Sequence, residues 1–223
     1  MFERSRDGDV HVLAMRGGQN RMDPAFFRGL HAMLDEIEAE SEGDAGLVLT
    51  GDGKYFCNGL DLEALSKLSK EAFGVFGADL MRAMGRLLVL PLPTVAAING
   101  HAFAGGAILT ACCDYRVMRE DRGWICVSEV DVGVPIDPKL VAILKAKLPP
   151  ATVRSALLEG RRYTGPEALE AGWVEGLAGE DDLMSAAVAQ AAGLASKGRR
   201  VFGSVKRALH GDLATELGFE RRR

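Results

Sequence analysis

Short apolar runs alternate with helical segments through the first half of the chain. The apolar runs cover residues 10–15, 46–50 and 94–98, and an amphipathic segment separates the first two. A continuous apolar run is typical of a strand buried on both faces of a parallel sheet. Asp23 and Pro24 begin the intervening helix as its N-cap and first helical residue. Strand, helix and strand in this order predict a βαβ crossover, and therefore an α/β fold.

The pattern changes along the chain. Helices are predicted over residues 70–90 and 104–113, and strands over 115–118 and 124–127. From Pro138 onward helical patterns dominate, with a capping box at Thr164 and Glu167 and one short strand over 174–177. The length of 223 residues fits one domain. We expect a single domain over 1–223, with an α/β core over about 1–148 and a helical C-terminal region over about 149–223.

Charge and hydropathy argue against several classes of protein. The net charge of −4 does not provide the basic surface that nucleic acid requires. Residues 221–223 are all arginine, and we interpret them as a solvated end. No apolar run reaches the roughly 18 residues of a membrane-spanning helix, and no signal peptide is visible. We therefore expect a cytoplasmic protein that contacts neither nucleic acid nor membrane.

The four cysteines lack the spacing of a zinc site. Cys112 and Cys113 are adjacent in an apolar stretch, and Cys57 and Cys126 follow apolar or aromatic residues. This placement predicts buried, free thiols in a reducing compartment. Neither a metal nor a redox cofactor is indicated.

Two segments place glycine where a predicted strand meets a predicted helix. They cover residues 56–62 and 99–106. Backbone amides at a helix N-terminus lack internal partners and carry partial positive charge. Two such amides from different segments can converge on one oxygen atom. The alternative is that Gly59, Gly105 and Gly106 only permit tight turns and close packing.

Four segments resemble the enoyl-CoA hydratase/isomerase (crotonase) superfamily. Residues 51–62 are similar to its F-x-x-G-x-D segment, and residues 93–102 to its P-x-I-A-A-x-x-G-x-A strand and turn. Residues 104–116 resemble its glycine-led helix and following strand. Residues 164–174 resemble its A-x-E-A-x-x-x-G-x-V segment. The order and spacing of these segments agree over about residues 10–174.

The resemblance implies a fold, a substrate and a site. The fold is a crotonase-like (ClpP/crotonase) spiral of ββα units with a helical C-terminal region. The substrate is an acyl-CoA thioester, so coenzyme A is part of the substrate and no cofactor is expected. A homotrimer or hexamer is implied, with the C-terminal region as a candidate for the trimer contacts. The backbone N–H groups of Leu60 and Gly105 form the oxyanion hole. The implied substrate-binding residues are Asn58, Gly59, Leu60, Asp61, Leu62 and Gly105.

Two aligned positions separate the reactions of this superfamily. Many of its hydratases carry two glutamates, which align here with Ile108 and Glu129. Isoleucine cannot transfer a proton, and adding water asks for both a base and an acid. Moving a double bond needs only one group, and the apolar neighbours of Glu129 would raise its pKa. Residues 59–62 also resemble the G-L-D-L form of Δ3,Δ2-enoyl-CoA isomerases. We therefore expect isomerisation of 3-enoyl-CoA to trans-2-enoyl-CoA in fatty-acid metabolism, with Glu129 as the single acid/base.

Alternatives remain for the reaction and for the neighbouring polar residues. The reaction alternatives are hydration, hydrolysis or decarboxylation of an acyl-CoA, or acyl-CoA binding without catalysis. Asp137 is a weaker candidate for a catalytic group, and Asp131 is interpreted as a loop or structural residue. His101 is expected to make structural hydrogen bonds. Asp61 is expected to cap a helix or to bind backbone groups near the CoA.

Overall fold

The computed structural model describes residues 2–41 and 43–220, and it contains two sheets. The larger sheet has six strands in the order β1-β2-β3-β5-β7-β9, and all neighbours except the antiparallel β1–β2 pair are parallel. The smaller sheet has three parallel strands in the order β4-β6-β8. The strands are β1 Phe2–Asp7, β2 Val10–Met15, β3 Gly46–Thr50, β4 Tyr55–Cys57, β5 Thr94–Ile98, β6 His101–Phe103, β7 Tyr115–Arg119, β8 Ile125–Cys126 and β9 Gly176–Ala178.

Helices connect the parallel strands and cover both faces of the larger sheet. The described residues form α1 Pro24–Glu40, α2 Leu62–Leu65, α3 Lys70–Val89, α4 Gly105–Cys112, α5 Glu129–Val132, α6 Pro138–Lys147, α7 Pro150–Leu158, α8 Gly165–Glu170, α9 Leu183–Ala195 and α10 Arg199–Glu216. Helix α9 packs its alanine face on one side of the sheet, against Val10, Val48 and Val95. Helices α1, α3 and α4 pack on the opposite side, where the larger apolar core lies. Within the part of the chain that the structure describes, no helix is both long and apolar enough to cross a bilayer.

A buried ion pair attaches the last helix to the core. Lys206 of α10 donates to Asp114 at 2.7 Å, and its ammonium group also lies 3.4 Å and 3.3 Å from the carbonyl oxygens of Leu87 and Leu92. Asp114 directly follows α4 and its cap residue, and it also accepts hydrogen bonds from the amide and hydroxyl of Thr94 in β5. A single carboxylate therefore joins α10, the end of α4 and the central strand.

The α/β fold, the crossover and the capped starts of α1 and α8 are as predicted from the sequence. Strand β1 was missed because its residues are mostly charged and exposed, as is common in an edge strand. Helix α10, Arg199–Glu216, lies in the region where helical patterns dominate. The predicted strand over 174–177 lies at Gly176–Ala178, where it pairs with β7 in the larger sheet. The three terminal arginines lie outside the described residues.

Candidate active site

A cavity of about 450 Å³ lies at the carboxyl ends of the three strands of the smaller sheet. Parallel strands bring the residues that follow them to one edge, so three segments distant in sequence meet here. The segment after β4 contributes Asn58, Leu60, Leu62 and Glu63 to the lining. The remaining lining residues are Arg21, Phe103, Ala104, Cys126, Ser128, Glu129, Val132, Val134 and Arg162.

The backbone amide of Leu60 has no acceptor among the described residues. Leu60 pairs with Met22 in an isolated parallel bridge. In that bridge the amide of Met22 donates to Gly59, and the amide of Asp61 donates to Met22. The bridge therefore uses groups on either side of Leu60 and leaves its own N–H free. An unpaired amide that lines a cavity is suited to bind a substrate oxygen.

The amide of Gly105 is a second donor that has no acceptor within the part of the chain that the structure describes. Gly105 is the first residue of α4, so its N–H has no partner within the helix. Ala104 before it has φ +51°, which a residue with a Cβ rarely adopts. This strained residue turns the chain sharply from β6 into α4, and it lines the cavity beside Leu60. The structure therefore brings the Leu60 and Gly105 segments together, as the resemblance implied.

The two segments touch so closely that side chains are excluded between them. A Cβ on Gly59, which has φ +77°, would lie 2.9 Å from the Phe103 carbonyl oxygen and 3.3 Å from the Gly105 nitrogen. A Cβ on Gly106 would lie 2.2 Å from the carbonyl oxygen of Cys57. Close packing, the alternative interpretation of the glycines, is therefore confirmed for Gly59 and Gly106, and this packing holds the two segments together.

Glu129 is the first residue of the one-turn helix α5. Its Oε2 atom is buried and has no hydrogen-bond partner among the described residues. Burial raises the pKa of the Glu129 carboxyl above its ordinary value, and a hydrogen bond from its own backbone amide partly offsets this. A buried, unpaired carboxyl in a cavity is suited to take up and return a proton.

The second family glutamate has no counterpart at Ile108. The Ile108 side chain is fully buried in the apolar core. Glu63 is the other carboxylate at the cavity, but its side chain is 78% exposed and pairs with Lys67 at 2.8 Å. Glu129 is thus the one described lining residue with a carboxyl oxygen that is buried and has no hydrogen-bond partner.

Asp61, Asn58 and Leu62, which were predicted to bind substrate, differ in their contacts and exposure. Asp61 is the N-cap of α2 and accepts from the amide of Ala64, as expected. The Asn58 side chain donates to Gln19 at 2.8 Å. Leu62 is 58% exposed at the mouth of the cavity. These three residues flank the Leu60 amide.

Asp137 and His101, two other polar residues considered from the sequence, do not line the cavity. Asp137 caps α6 by accepting from Lys139. The expectation that His101 makes structural hydrogen bonds is wrong for its side chain, whose buried Nδ1 has no partner among the described residues. The ring instead packs against the rings of Tyr55, Phe103 and Trp124, because the pleat of the smaller sheet puts aromatic side chains on both sides of it.

Sequence reasoning missed two cationic residues at the cavity. Arg21 and Arg162 line it, and neither guanidinium forms an ion pair with a described residue. Arg21 reaches the site because Met22 next to it pairs with Leu60, and Arg162 because Tyr163 next to it pairs with Ile125. Isolated bridges of this kind leave no pattern in a sequence. The two guanidinium groups could bind an anionic ligand.

The cysteines are free and buried, as predicted. Burial raises the pKa of Cys57 to about 12, and its thiol donates to the carbonyl of Asn20. Among the described residues, no group of three or more histidine, cysteine, aspartate or glutamate side chains could hold a metal ion.

The combination of a six-stranded, mainly parallel sheet and a three-stranded parallel sheet, with a glycine-led turn from β6 into α4, is that of a crotonase-type α/β fold. The chain belongs to the enoyl-CoA hydratase/isomerase family, whose sequence model matches residues 9–221. It is an enzyme of that family.

Relatives named as isomerases match along nearly the whole chain. Enoyl-CoA delta isomerase 2, peroxisomal, of Arabidopsis thaliana is 34% identical over 100% of this chain and 97% of its own length. Enoyl-CoA delta isomerase 3 of the same plant is 31% identical over 96% of this chain and 93% of its own. The crystal structure of an enoyl-CoA isomerase from Mycobacterium tuberculosis is 28% identical, with a TM-score of 0.89 over 97% of this chain and 94% of that one. The human mitochondrial delta3-delta2-enoyl-CoA isomerase, at 24% identity and TM-score 0.91 over 97% and 86%, shares the fold.

Proposed function

We propose that this enzyme isomerises 3-enoyl-CoA to trans-2-enoyl-CoA, with Glu129 as the only acid/base. The observation that carries the proposal is the buried, unpaired Glu129 carboxyl in the same cavity as the Leu60 and Ala104 segments. The relatives named as enoyl-CoA delta isomerases support the same reaction.

The proposed mechanism has two proton transfers. The thioester oxygen lies between the N–H groups of Leu60 and Gly105, which makes the C2 protons more acidic. The Glu129 carboxylate removes one C2 proton, and the negative charge moves to the thioester oxygen of a dienolate, where the two amides stabilise it. The protonated Glu129 then returns the proton to C4, which places the double bond between C2 and C3. The raised pKa of Glu129 suits both steps, because a group of moderately higher pKa is the better base and remains able to donate.

The substrate in this proposal is an acyl-CoA thioester, whose phosphates would be attracted by Arg21 and Arg162. Asn58, Gly59, Leu60, Asp61, Leu62 and Gly105 remain the proposed substrate-binding residues. A homotrimer or hexamer, the absence of a cofactor and a cytoplasmic location remain expectations, and the Arabidopsis relative of 34% identity is named as peroxisomal.

Substitution of Glu129 by glutamine tests the mechanism. Glutamine keeps the shape of the side chain but cannot accept the C2 proton, so kcat should fall by about 10²- to 10⁴-fold. The absorbance of the conjugated enoyl thioester reports the product. A matched control is Glu63→Gln, which changes the exposed carboxylate of the same cavity and should leave kcat within about threefold. Activity of Glu129→Gln close to that of the parent would exclude the single-glutamate mechanism.

The other acyl-CoA reactions can be separated from isomerisation by their products. Incubation with saturated, 2-enoyl, 3-enoyl and 3-carboxyacyl thioesters, followed by mass analysis and by the absorbance of the conjugated enoyl thioester, distinguishes the four reactions. Isomerisation conserves mass, whereas hydration adds water, and hydrolysis and decarboxylation split the substrate. We expect a product only from 3-enoyl-CoA, with unchanged mass.

A further inference from the structure

The proposed acid/base lies on a helix that is too short to be stable by itself. Helix α5 has four residues, no side-chain N-cap and no buried residue. Isolated helices shorter than about 12–15 residues are marginal in water. The position of Glu129 must therefore be imposed by other parts of the chain.

The turn over residues 159–163, which follows α7 and is called the Gly160 turn here, contacts the chain on both sides of Glu129. Ile125 and Tyr163 exchange two backbone hydrogen bonds of 2.9 Å. The Cys126 thiol donates to the carbonyl oxygen of Gly160 at 3.2 Å. These contacts fix the chain three and four residues before Glu129.

The third contact lies two residues after Glu129 and involves Asp131. The Asp131 carboxylate atoms lie 2.6–2.9 Å from the position that a Cβ on Gly160 would take. Gly160 also has φ +57°, which favours glycine. The Asp131 carboxylate of α5 therefore occupies the space beside the turn that any larger residue at position 160 would fill, and α5 and α7 are in contact.

We propose that Gly160 and Asp131 are positioning residues for Glu129: the absence of a side chain at Gly160 lets Asp131 seat α5 against the turn and thereby holds the Glu129 carboxyl in the cavity. The inference rests on the proposed function only in naming Glu129 as the acid/base. Neither residue touches substrate in this scheme, and both act through the placement of α5.

Three variants test the contact: Gly160→Ala, Asp131→Ala and the double variant. The new methyl group of Gly160→Ala must displace the Asp131 carboxylate, and under this proposal α5 shifts with it. A misplacement of about 1 Å can lower a rate by about 10²-fold, so we expect kcat to fall by about 10- to 100-fold with little change in KM. Asp131→Ala alone should lower kcat by less than about tenfold. The double variant should recover most of the loss, because the clashing carboxylate is gone.

Two controls separate positioning from general damage. Gly8→Ala places alanine at a nearly identical φ of +55° with nothing within 4 Å, so it reports the backbone strain alone. It should leave kcat unchanged. Asp131→Glu pushes one more methylene against the same turn without altering the backbone, and it should lower kcat in the same direction as Gly160→Ala. This second variant gives the answer if Gly160→Ala does not fold.

A readout that does not depend on turnover is the titration of the Glu129 carboxyl, followed by carbon NMR of labelled glutamate and assigned with Glu129→Gln. In Gly160→Ala the Glu129 pKa should fall towards its ordinary value as α5 moves and water enters, and the double variant should restore it. If the protein isomerises no enoyl-CoA, the proposed function fails while this titration still tests the positioning. Folded Gly160→Ala or Asp131→Glu with unchanged kcat and unchanged titration, or a double variant without recovery, would overturn the proposal.

Discussion

The two halves of the candidate site lie on helices that differ in almost every physical respect. Helix α4, which begins at Gly105, has eight residues, and all of them are buried. Helix α5, which begins at Glu129, has four residues, and none is buried as a whole, although the Oε2 atom of Glu129 is. The proposed oxyanion donor is therefore part of the core, whereas the proposed base is carried by a surface turn.

This difference shows which part of the site can be substituted, and the reaction thereby changed, without loss of the fold. The N–H groups of Leu60 and Gly105 are backbone atoms fixed by packing, so any sequence that folds this way retains them. The group at position 129 is a side chain on a segment that contributes little to the core. A scaffold of this kind can stabilise one type of intermediate and vary what is done with it.

The largest effect on stability is expected at the C-terminal end of α4. Asp114→Ala removes the carboxylate that binds Lys206 and Thr94, and it leaves a buried ammonium group with only carbonyl partners. Breaking a buried pair in this way costs about 3–5 kcal/mol of unfolding free energy. Urea denaturation measures it. The exposed pair control, Lys67→Ala, should cost at most about 0.5 kcal/mol. A loss below about 1 kcal/mol for Asp114→Ala would show that α4 is not anchored here.

The second largest effect on stability, together with a loss of activity, is expected for a substitution at the start of α4. Gly106→Ala places a Cβ 2.2 Å from the Cys57 carbonyl oxygen, so β4 and α4 must separate. We expect a loss of about 1–3 kcal/mol in unfolding free energy and a fall in kcat of at least about 10²-fold, because the two amides no longer converge. Thermal melts and the enoyl-CoA assay measure the two effects.

The matched control for Gly106 is Gly193→Ala. Gly193 is also inside a helix but has nothing within 4 Å of its added Cβ. Alanine there should stabilise the protein by up to about 1 kcal/mol through helix propensity. If Gly106→Ala behaves like Gly193→Ala, the close contact between the two glycine segments is not needed for activity.

A smaller effect on stability, of opposite sign, is expected for a substitution in α5, because replacing Glu129 should stabilise the fold. Because the pKa of Glu129 is raised in the folded protein, the folded state holds its proton at pH values where the unfolded state has released it. The carboxylate therefore destabilises the fold increasingly as pH rises from the unfolded pKa to the folded pKa, and fully above it. Glu129→Gln removes this penalty, so its melting temperature should exceed that of the parent at pH 7, by about 2–4 °C per kcal/mol.

The same pKa sets the pH dependence of the rate. The base acts only when deprotonated, so kcat of the parent should rise with pH through the raised pKa of Glu129 and then level off. Equal melting temperatures of parent and Glu129→Gln at pH 7, together with a midpoint of the rate profile at the ordinary glutamate pKa, would contradict the burial of this carboxyl.

The contrast between α4 and α5 also explains what the sequence could reveal. Buried elements have strong patterns, so the apolar runs of β3 and β5, the Asp23-Pro24 start of α1 and the capping box at Thr164 predicted the structure closely. The glycine segments were visible because close backbone approach requires glycine.

Other features depend on contacts that have no local pattern. Strand β1 is charged and exposed, and α5 is too short to have a helical period. Arg162 lies at the site, and Asp131 lies beside the turn, only through contacts between residues 38 and 29 positions apart in the sequence. The side chain of His101 was assigned to hydrogen bonding by residue type, although its surroundings are aromatic. Such residues can be placed only once the fold is known.

The smallest effect on unfolding free energy is expected for substitution of an apolar residue of α5. Val132 is 62% exposed, so Val132→Ala removes two carbons that bury little area, and the higher helix propensity of alanine offsets part of the loss. We expect a change below about 0.5 kcal/mol in unfolding free energy. In α4, Ile108→Val removes only one carbon, but from a fully buried side chain, and should cost about 0.5–1.5 kcal/mol. Urea denaturation of both variants compares the helices residue by residue. If Val132→Ala were the costlier of the two, α5 would be supported by packing that the described residues do not provide, which would point to a second protein chain covering it.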